Sequence, residues 1–271
     1  DSHNRATKIE YVFTPFDVEA DITESNKLLM IDALNQIIED GYNRGLVHNY
    51  TTQSGSKDKS LISISEESDL INFGSCSYLN LENEESLKEG VINAVKDFGT
   101  QFSSSRTYLS IGLYKELELL LGKIFHQPLI VTPSTTLGHL AAIPVIVEPN
   151  DAVILDLQVH ASIQMTVQQL KAKKISVHLI QHNCMESLEA KILHLSGKHD
   201  KVWYFADGVY SMYGDYAPFN ELTDLLNKYD KFHLYIDDAH GMGWAGDNGG
   251  GVVRKHMGHH NKYLYDRFEF T

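Results

Sequence analysis

Residues Leu234 to Gly246 read LYIDDAHGMGWAG. An apolar strand pattern runs directly into two adjacent carboxylates, Asp237 and Asp238, which are followed by His240 and three glycines. One aspartate after a strand is adequately explained as the cap of the next turn or helix. That explanation does not account for the histidine and the glycines together, so the stretch indicates a strand that ends at a functional site.

The same kind of apolar run, rich in Val and Ile, recurs upstream of this strand. The runs are PLIVT at 128–132, AVILD at 152–156, ISVHLI at 175–180 and VWYFA at 202–206. Helical spacing of apolar residues fills the intervals, at Thr136–Val147, Ser162–Ala172, Glu186–Leu195 and Phe219–Tyr229. Alternation of strands and helices at this spacing predicts an α/β fold with a mostly parallel sheet and helices on both faces.

Polar side chains follow the apolar runs at the points where the predicted strands end. They are Ser134, Thr135 and Thr136 after the first run, His160 after the second, Asp207 and Ser211 after VWYFA, and Asp237 and His240 after the last. Ligands of parallel α/β sheets bind at the carboxyl ends of the strands. We therefore expect these groups to share one ligand site, with Ser134, His160, Asp207 and Asp237 at one edge of the sheet.

The chemistry of these groups suits one kind of ligand. The segment STTLG opens a predicted helix whose backbone N–H groups could hold a phosphate, although an ordinary Ser/Thr N-cap explains it equally well. His160 could stack on a flat ring or act as a local hydrogen-bonding residue. Asp237 could pair with a heteroaromatic nitrogen and keep it protonated, while His240 could donate a hydrogen bond to a phenolic oxygen. Together these partners predict a pocket for pyridoxal phosphate (PLP).

Two long segments carry a family resemblance. DGVYSMYGDYAPF at 207–219, followed by DDAHGMGWAGDNGGG at 237–251, resembles the α-oxoamine synthases among the fold-type I PLP-dependent enzymes. Three upstream segments resemble the same family in the same order, namely INFGSCSYLNL at 71–81, FGTQFSSSRTYLSIGLYKELELLL at 98–121 and HNCMESLEAKI at 182–192. The resemblance covers about residues 71–253 and implies the large domain of a fold-type I transferase.

The resemblance also implies roles for individual residues. The backbone N–H groups of Thr135 and Thr136 would bind the phosphate, and Ser211 would lie with His240 at the phenolic oxygen. The implied cofactor-binding residues are Ser134, Thr135, Thr136, His160, Asp207, Ser211, Asp237 and His240. His160, Asp237 and His240 are the expected catalytic residues, and Arg106 is expected on the substrate side.

The implied activity is a PLP-dependent condensation of an amino acid with an acyl-CoA thioester, which makes the protein an acyltransferase, and fold-type I enzymes are typically homodimers. Two alternatives stay open. A fold-type I aminotransferase would share the pocket but not the thioester substrate. A non-catalytic partner subunit would lack the lysine that forms the Schiff base with PLP.

Composition excludes other classes of protein. The formal net charge of −13 on 271 residues argues against a nucleic-acid binder, and no apolar run reaches the ~20 residues of a membrane span. Two distant cysteines, Cys76 and Cys184, predict a reduced cytoplasmic protein. Helical spacing between residues 24 and 42 predicts an N-terminal helix, so we expect residues 1–70 to form a helix and linker and residues 71–271 the PLP-binding domain.

The Schiff-base lysine of the family is not found at its expected place. It lies in a Ser/Thr-x-x-Lys context after the Asp-x-Ala-His strand, whereas Lys255 and Lys262 come too early and in another context. We therefore expect the last part of the large domain and the small C-terminal domain to lie outside these 271 residues. The segment HMGHH at 256–260 is predicted to be a solvated loop rather than a metal site, because no carboxylate or cysteine accompanies it nearby.

Overall fold

The computed structural model describes residues 24–45, 47, 61–65, 68–71, 74–102, 105–258 and 268–270. The chain divides into two compact units, Asp1–Ser75 and Cys76–Thr271. The first unit contains helix α1 (Glu24–Asn43) and an antiparallel pair of strands, β1 (Leu61–Ser65) and β2 (Ser68–Ile71). Helix α1 confirms the predicted N-terminal helix. The predicted linker at 51–60 lies outside the described residues, and the domain boundary after residue 70 stays a prediction.

The second unit alternates helices and strands. Its helices are α2 (Glu85–Phe98), α3 (Gly112–Phe125), α4 (Thr135–Ile146), α5 (Ala161–Ala172), α6 (Met185–Ser196), α7 (Phe219–Lys228) and α8 (Val252–Met257). Its strands are β3 (Ala152–Asp156), β4 (Ser176–Ile180), β5 (Val202–Asp207), β6 (Val209–Tyr210), β7 (Asp215–Tyr216), β8 (Phe232–Asp237) and β9 (Phe268–Phe270). Short 3₁₀ turns cover Leu81–Asn83 and Asp247–Gly249. No described helix is both long and apolar enough to cross a bilayer.

The main sheet has the strand order β4-β3-β5-β8-β9, and each neighbouring pair is parallel. Its two faces pack in two apolar clusters, because successive side chains of a strand point to opposite faces. Tyr204 and Leu234 pack on one face with residues of α6 and α7, while Trp203 and Phe205 pack on the other with residues of α4 and α5. Burial on both faces explains why these strands are continuously apolar, and the predicted α/β fold is confirmed.

The run PLIVT at 128–132 was predicted to be a strand, and this prediction is wrong. The backbone N–H of Val131 donates to Oε1 of Glu118 on α3 at 3.0 Å. The carbonyl oxygen of Val131 accepts a hydrogen bond from Nη1 of Arg106 at 2.9 Å. Side chains thus occupy the backbone groups that a neighbouring strand would use, and Ile130 is 80% exposed instead of buried.

Candidate active site at the carboxyl edge of the sheet

Three carboxylates end three adjacent strands of the main sheet. Asp156 is the last residue of β3, Asp207 of β5 and Asp237 of β8. Asp207 and Asp237 are direct partners in the register of β5 and β8, and all three residues are buried. A buried carboxylate must either receive hydrogen bonds or hold a proton. The neighbours of each aspartate therefore decide its charge.

Asp237 receives hydrogen bonds on both carboxylate oxygens. Oδ2 lies 2.9 Å from Nε2 of His139, and Oδ1 accepts the backbone N–H of Ala239 at 2.9 Å. Burial alone would raise the pKa of Asp237, but the hydrogen bonds from His139 and Ala239 outweigh burial, and the pKa is lowered. Asp237 is therefore ionised at neutral pH.

Asp207, unlike Asp237, is uncharged at neutral pH. Its two oxygens both accept the backbone N–H of His160, at 3.1 and 3.2 Å. Burial and the nearby charge of Asp237 raise the pKa of Asp207 to about 8, against the opposing effect of that N–H. Asp207 thus holds a proton at neutral pH, which leaves one negative charge on this pair of carboxyl groups.

Sequence reasoning missed His139, which is fully buried on α4. Its Nδ1 lies 2.7 Å from the hydroxyl of Tyr235, and its Nε2 lies at Asp237. A signal for it exists in the sequence, since His139 is the one histidine in the otherwise apolar helical run LGHLAAIPVI. A polar residue buried in such a run needs a partner from another element, although the run does not identify that partner.

The N-terminus of α4 lies near the same edge. Ser134 is the N-cap, and its hydroxyl accepts the backbone N–H of Leu137 at 3.2 Å. Thr135 and Thr136 form the first turn, where backbone N–H groups have no partner within the helix and the helix dipole favours an anion. His139 follows Thr135 by about 6 Å along the helix axis. Its contact with Asp237 places this turn beside the ends of the strands.

His160 and Ser211 reach the site less directly. His160 is the N-cap of α5, and its Nδ1 accepts the backbone N–H of Ser162 at 3.2 Å, while its ring is exposed. Its backbone contact with Asp207 places it at the predicted edge. Ser211 is exposed between β6 and β7. The stacking role of His160 and the role of Ser211 at a phenolic oxygen stay predictions.

His240 is held by an aromatic pair that sequence reasoning also missed. Its Nδ1 lies 2.6 Å from the hydroxyl of Tyr78, and its carbonyl oxygen accepts Nε1–H of Trp244 at 2.7 Å. Burial and the proximity of Cys76 raise the pKa of Tyr78, so its hydroxyl keeps its proton and can donate to Nδ1. With Nδ1 occupied by Tyr78, Nε2 is the ring nitrogen of His240 that could donate to a ligand.

Asp238 lies against backbone on the other side of the strand end. Its Oδ2 accepts the backbone N–H of Val253 at 3.1 Å, and burial raises its pKa to about 7. A Cβ atom added at Gly208, Gly241 or Gly251 would lie 2.0–2.8 Å from Asp238 carboxylate oxygens or Val253. Glycines at these positions therefore allow the surrounding backbone to close over Asp238.

A second histidine and carboxylate cluster lies at the end of β3. His182 is 2.8 Å from Oδ1 of Asp156 through Nδ1 and 2.9 Å from Oδ2 of Asp215 through Nε2. Its ring stacks on Tyr213. Burial lowers the pKa of His182, but the hydrogen bonds and charges of the two aspartates outweigh burial and raise it. The cluster ties the hairpin that carries Ser211 to the end of β3.

Arg106, predicted on the substrate side, has protein partners. It donates to Oε1 of Glu118 at 2.9 Å and to the carbonyl oxygen of Val131, and its guanidinium lies 4.3 Å from the centre of the Tyr114 ring. These contacts join α3 to the segment that precedes α4. Contact of Arg106 with a substrate stays a prediction.

In the HMGHH segment, His256 stacks on Phe219 with ring centres 4.9 Å apart. His259, His260 and Lys262 lie outside the described residues. The prediction of a solvated loop is wrong for His256 and Met257, which form the end of α8, and it stays a prediction for His259 and His260.

Known proteins resemble this chain in sequence and in structure. The family model described as aminotransferase class I and II matches residues 68–261. An 8-amino-7-oxononanoate synthase from Symbiobacterium thermophilum is 31% identical over 231 residues, which cover 84% of this chain and 56% of the relative. Another from Thermosipho melanesiensis is 35% identical over 195 residues, which cover 71% of this chain and 48% of the relative.

Among solved structures, a serine palmitoyltransferase variant from S. paucimobilis with a bound PLP–myriocin aldimine superposes with a TM-score of 0.73 at 25% sequence identity. The match covers 84% of this chain and 56% of that one. The chain thus spans about half the length of the curated relatives it matches.

Proposed function

The chain belongs to the aminotransferase class I and II family, and on that basis we propose that it is part of a PLP-dependent α-oxoamine synthase. The proposed reaction condenses an amino acid with an acyl-CoA thioester. The relatives named above are an 8-amino-7-oxononanoate synthase from each of two organisms and a serine palmitoyltransferase, and their names support this reaction type. Because the chain covers about half of each relative, the substrates belong to the proposal.

One observation carries the assignment of the cofactor. An ionised, buried Asp237 lies at the carboxyl end of β8, beside the helix whose first turn contains Thr135 and Thr136. A carboxylate suits a protonated ring nitrogen, and a helix N-terminus suits a phosphate. PLP carries both groups on one small ring, so the residues present fit this cofactor.

When bound, PLP supplies an electron sink for a carbanion at the Cα atom of an amino acid. In the proposal, Asp237 keeps the ring nitrogen protonated by direct ion pairing. Asp207, which is protonated at neutral pH, adds no second negative charge beside it. His240, whose Nδ1 is held by Tyr78, would donate from Nε2 to the phenolic oxygen, and His160 would stack on the ring.

The test uses the full-length protein that contains this chain, supplied with PLP. Free thiol should be released from an acyl-CoA only when a suitable amino acid is also present. Asp237→Asn should lower the rate on the order of 10²-fold or more, as expected for the loss of a preorganised electrostatic partner. Asp238→Asn is the matched variant, and its effect on the rate should be much smaller.

Other results would select other functions. Formation of a keto acid from the amino acid without thiol release would favour an aminotransferase. PLP binding without either product would favour a non-catalytic partner subunit. Equal losses in Asp237→Asn and Asp238→Asn would show that the wrong carboxylate has been assigned to the ring nitrogen.

We also propose a cytoplasmic homodimer. In support, helices α2 and α3 carry apolar side chains that are half or more exposed, among them Val91, Leu119 and Leu120. A second copy could cover such side chains. Cys76 and Cys184 are both free thiols, which is compatible with a reducing compartment. Light scattering of the full-length protein at micromolar concentration should give twice the mass of one polypeptide, and a monomer mass would contradict the proposal.

A further inference from the structure

His139 has no role in the mechanism above, yet it is fully buried and both of its ring nitrogens have partners. It connects the hydroxyl of Tyr235, itself 1% exposed, to the carboxylate of Asp237. His139 lies on α4, and its two partners on β8 are 96 and 98 positions away in sequence. Burial of a histidine is costly unless its polar atoms are satisfied. This arrangement satisfies them at a carboxylate proposed to contact the cofactor.

We propose that His139 is a positioning residue, which holds the Asp237 carboxylate in place and keeps it ionised for the ring nitrogen of PLP. The inference rests on the proposed function, since it concerns the same carboxylate. His139 does not contact PLP in this proposal. It acts through Asp237, and Tyr235 acts through His139.

One arrangement of protons supplies a donor to each of the two hydrogen bonds of His139. The Tyr235 hydroxyl donates to Nδ1 of His139, and Nε2–H of His139 donates to Oδ2 of Asp237. Each of the two hydrogen bonds then has one proton.

The surroundings of Asp237 show why this donor is important. Asp207, the last residue of β5, and Asp238, the residue after β8, are the neighbouring carboxyl groups, and burial raises the pKa of both. His160, at the start of α5, is a further titratable neighbour that favours the ionised form. Ala239 N–H holds Oδ1 and His139 holds Oδ2, so the two donors fix the plane of the carboxylate.

The hydrogen bonds to Asp237 affect whether Asp237 or the ring nitrogen of PLP is the stronger base. A carboxylate that already accepts two hydrogen bonds is a weaker base than one without them. The proton shared between Asp237 and a ring nitrogen should therefore stay on the nitrogen. Without His139, Asp237 would take up a proton at higher pH and would bind a protonated ring less tightly.

The first experiment uses NMR to measure the protonation of His139 and Asp237 in the protein without PLP. Nitrogen-15 NMR of labelled histidine, recorded between pH 5 and 8, should show a proton on Nε2 of His139. Carbon-13 NMR of labelled aspartate should show Asp237 ionised over the same range, with its signal assigned through Asp237→Asn. A His139 ring without a proton on Nε2 could not donate to Asp237 and would overturn the proposal.

The variants separate positioning from packing. In His139→Leu the titration of Asp237 should move to higher pH, and PLP should bind about tenfold more weakly, the equivalent of one pKa unit. His139→Gln, which retains an N–H donor, should restore most of the PLP affinity and most of the wild-type titration of Asp237. His194→Leu, at an exposed position on α6, is the control and should change neither.

Tyr235→Phe keeps the proposal testable if His139→Leu does not fold. With the hydroxyl removed, His139 loses its partner at Nδ1, so its ring should be held less firmly and the titration of Asp237 should move in the same direction as in His139→Leu, by a smaller amount. An unchanged Asp237 titration in a folded His139→Leu, with normal PLP binding by the wild type, would overturn the role of His139. Absence of PLP binding by the wild type would instead overturn the proposed function.

Discussion

Two neighbouring carboxylates at the end of β8 differ in their surroundings and in their charge. Asp237 accepts hydrogen bonds from His139 and Ala239, and its pKa is lowered. Asp238 accepts the N–H of Val253, is enclosed by glycine backbone, and has a pKa raised to about 7. Its Oδ1 is buried without a hydrogen-bond partner among the described residues. Burial alone therefore does not set the charge of a carboxyl group, because the number of donors facing it decides whether the charge is retained.

The largest expected effect is on the backbone around Asp238. In Gly241→Ala the new Cβ would lie 2.0 Å from Oδ1 of Asp238 and 2.9 Å from the backbone nitrogen of Val252. Because neither group can move far, the free energy of unfolding should fall by about 4 kcal/mol. Urea unfolding measures this, and Gly90→Ala on α2, where a Cβ meets nothing within 4 Å, is the control. A decrease in the free energy of unfolding no larger than that of ordinary surface variants would show that the loop around Asp238 is loosely packed.

Asp156 tests a carboxylate that accepts four hydrogen bonds. It accepts His182 Nδ1, Tyr204 Oη and the backbone N–H groups of Gln158 and Asn183. In Asp156→Asn an amide NH₂ would face some of these donors, so we expect a loss of about 3 kcal/mol in unfolding free energy. The exposed Asp230→Asn should change it by less than about 0.5 kcal/mol. Similar results for the two variants would contradict the importance of the donors.

Unlike the two variants above, Asp238→Asn should raise the free energy of unfolding, by an amount that depends on pH. The folded pKa of Asp238, about 7, is raised above the usual 3.8, so its stabilising contribution is complete below about pH 4 and is lost as pH rises through 7. Asparagine cannot ionise, so the variant should gain about 2 kcal/mol relative to the wild type between pH 5 and 8. Chemical unfolding at the two pH values measures this. A constant difference would mean that Asp238 does not titrate in this range.

The smallest effect concerns His182, which lies between two carboxylates. Its folded pKa is raised above the usual 6.5, so its contribution is complete below that value and is lost as pH rises through the folded pKa. Asp215→Asn should cost about 1 kcal/mol at pH 5.5 and less at pH 9, a modest loss because the Asp215 side chain is 45% exposed. Asp40→Asn, which removes a surface pair with Arg44, should show no such pH dependence. A larger cost at pH 9 would contradict this assignment.

The sequence predicted the order of the central elements well, and it failed at one of them. Strands β3, β4, β5 and β8 and helices α4 to α7 lie within a few residues of their predicted bounds. PLIVT had the same apolar character as these strands. Its backbone groups are instead bonded by Arg106 and Glu118, which lie 25 and 13 positions from Val131, and no local pattern contains that information.

By itself, the sequence determined which residues follow the strand ends and which chemistry they could share. Apolar periodicity is a local property, and the carboxyl ends of parallel strands meet at one edge, so Asp207 and Asp237 could be placed together in advance. The tertiary structure decided which carboxyl group keeps its charge. His139 reaches Asp237 across 98 positions of sequence, while the glycine-rich loop closes on Asp238. The charge of a buried carboxyl group depends on the donors and the solvent exclusion that distant elements provide, and these exist only once the chain has folded.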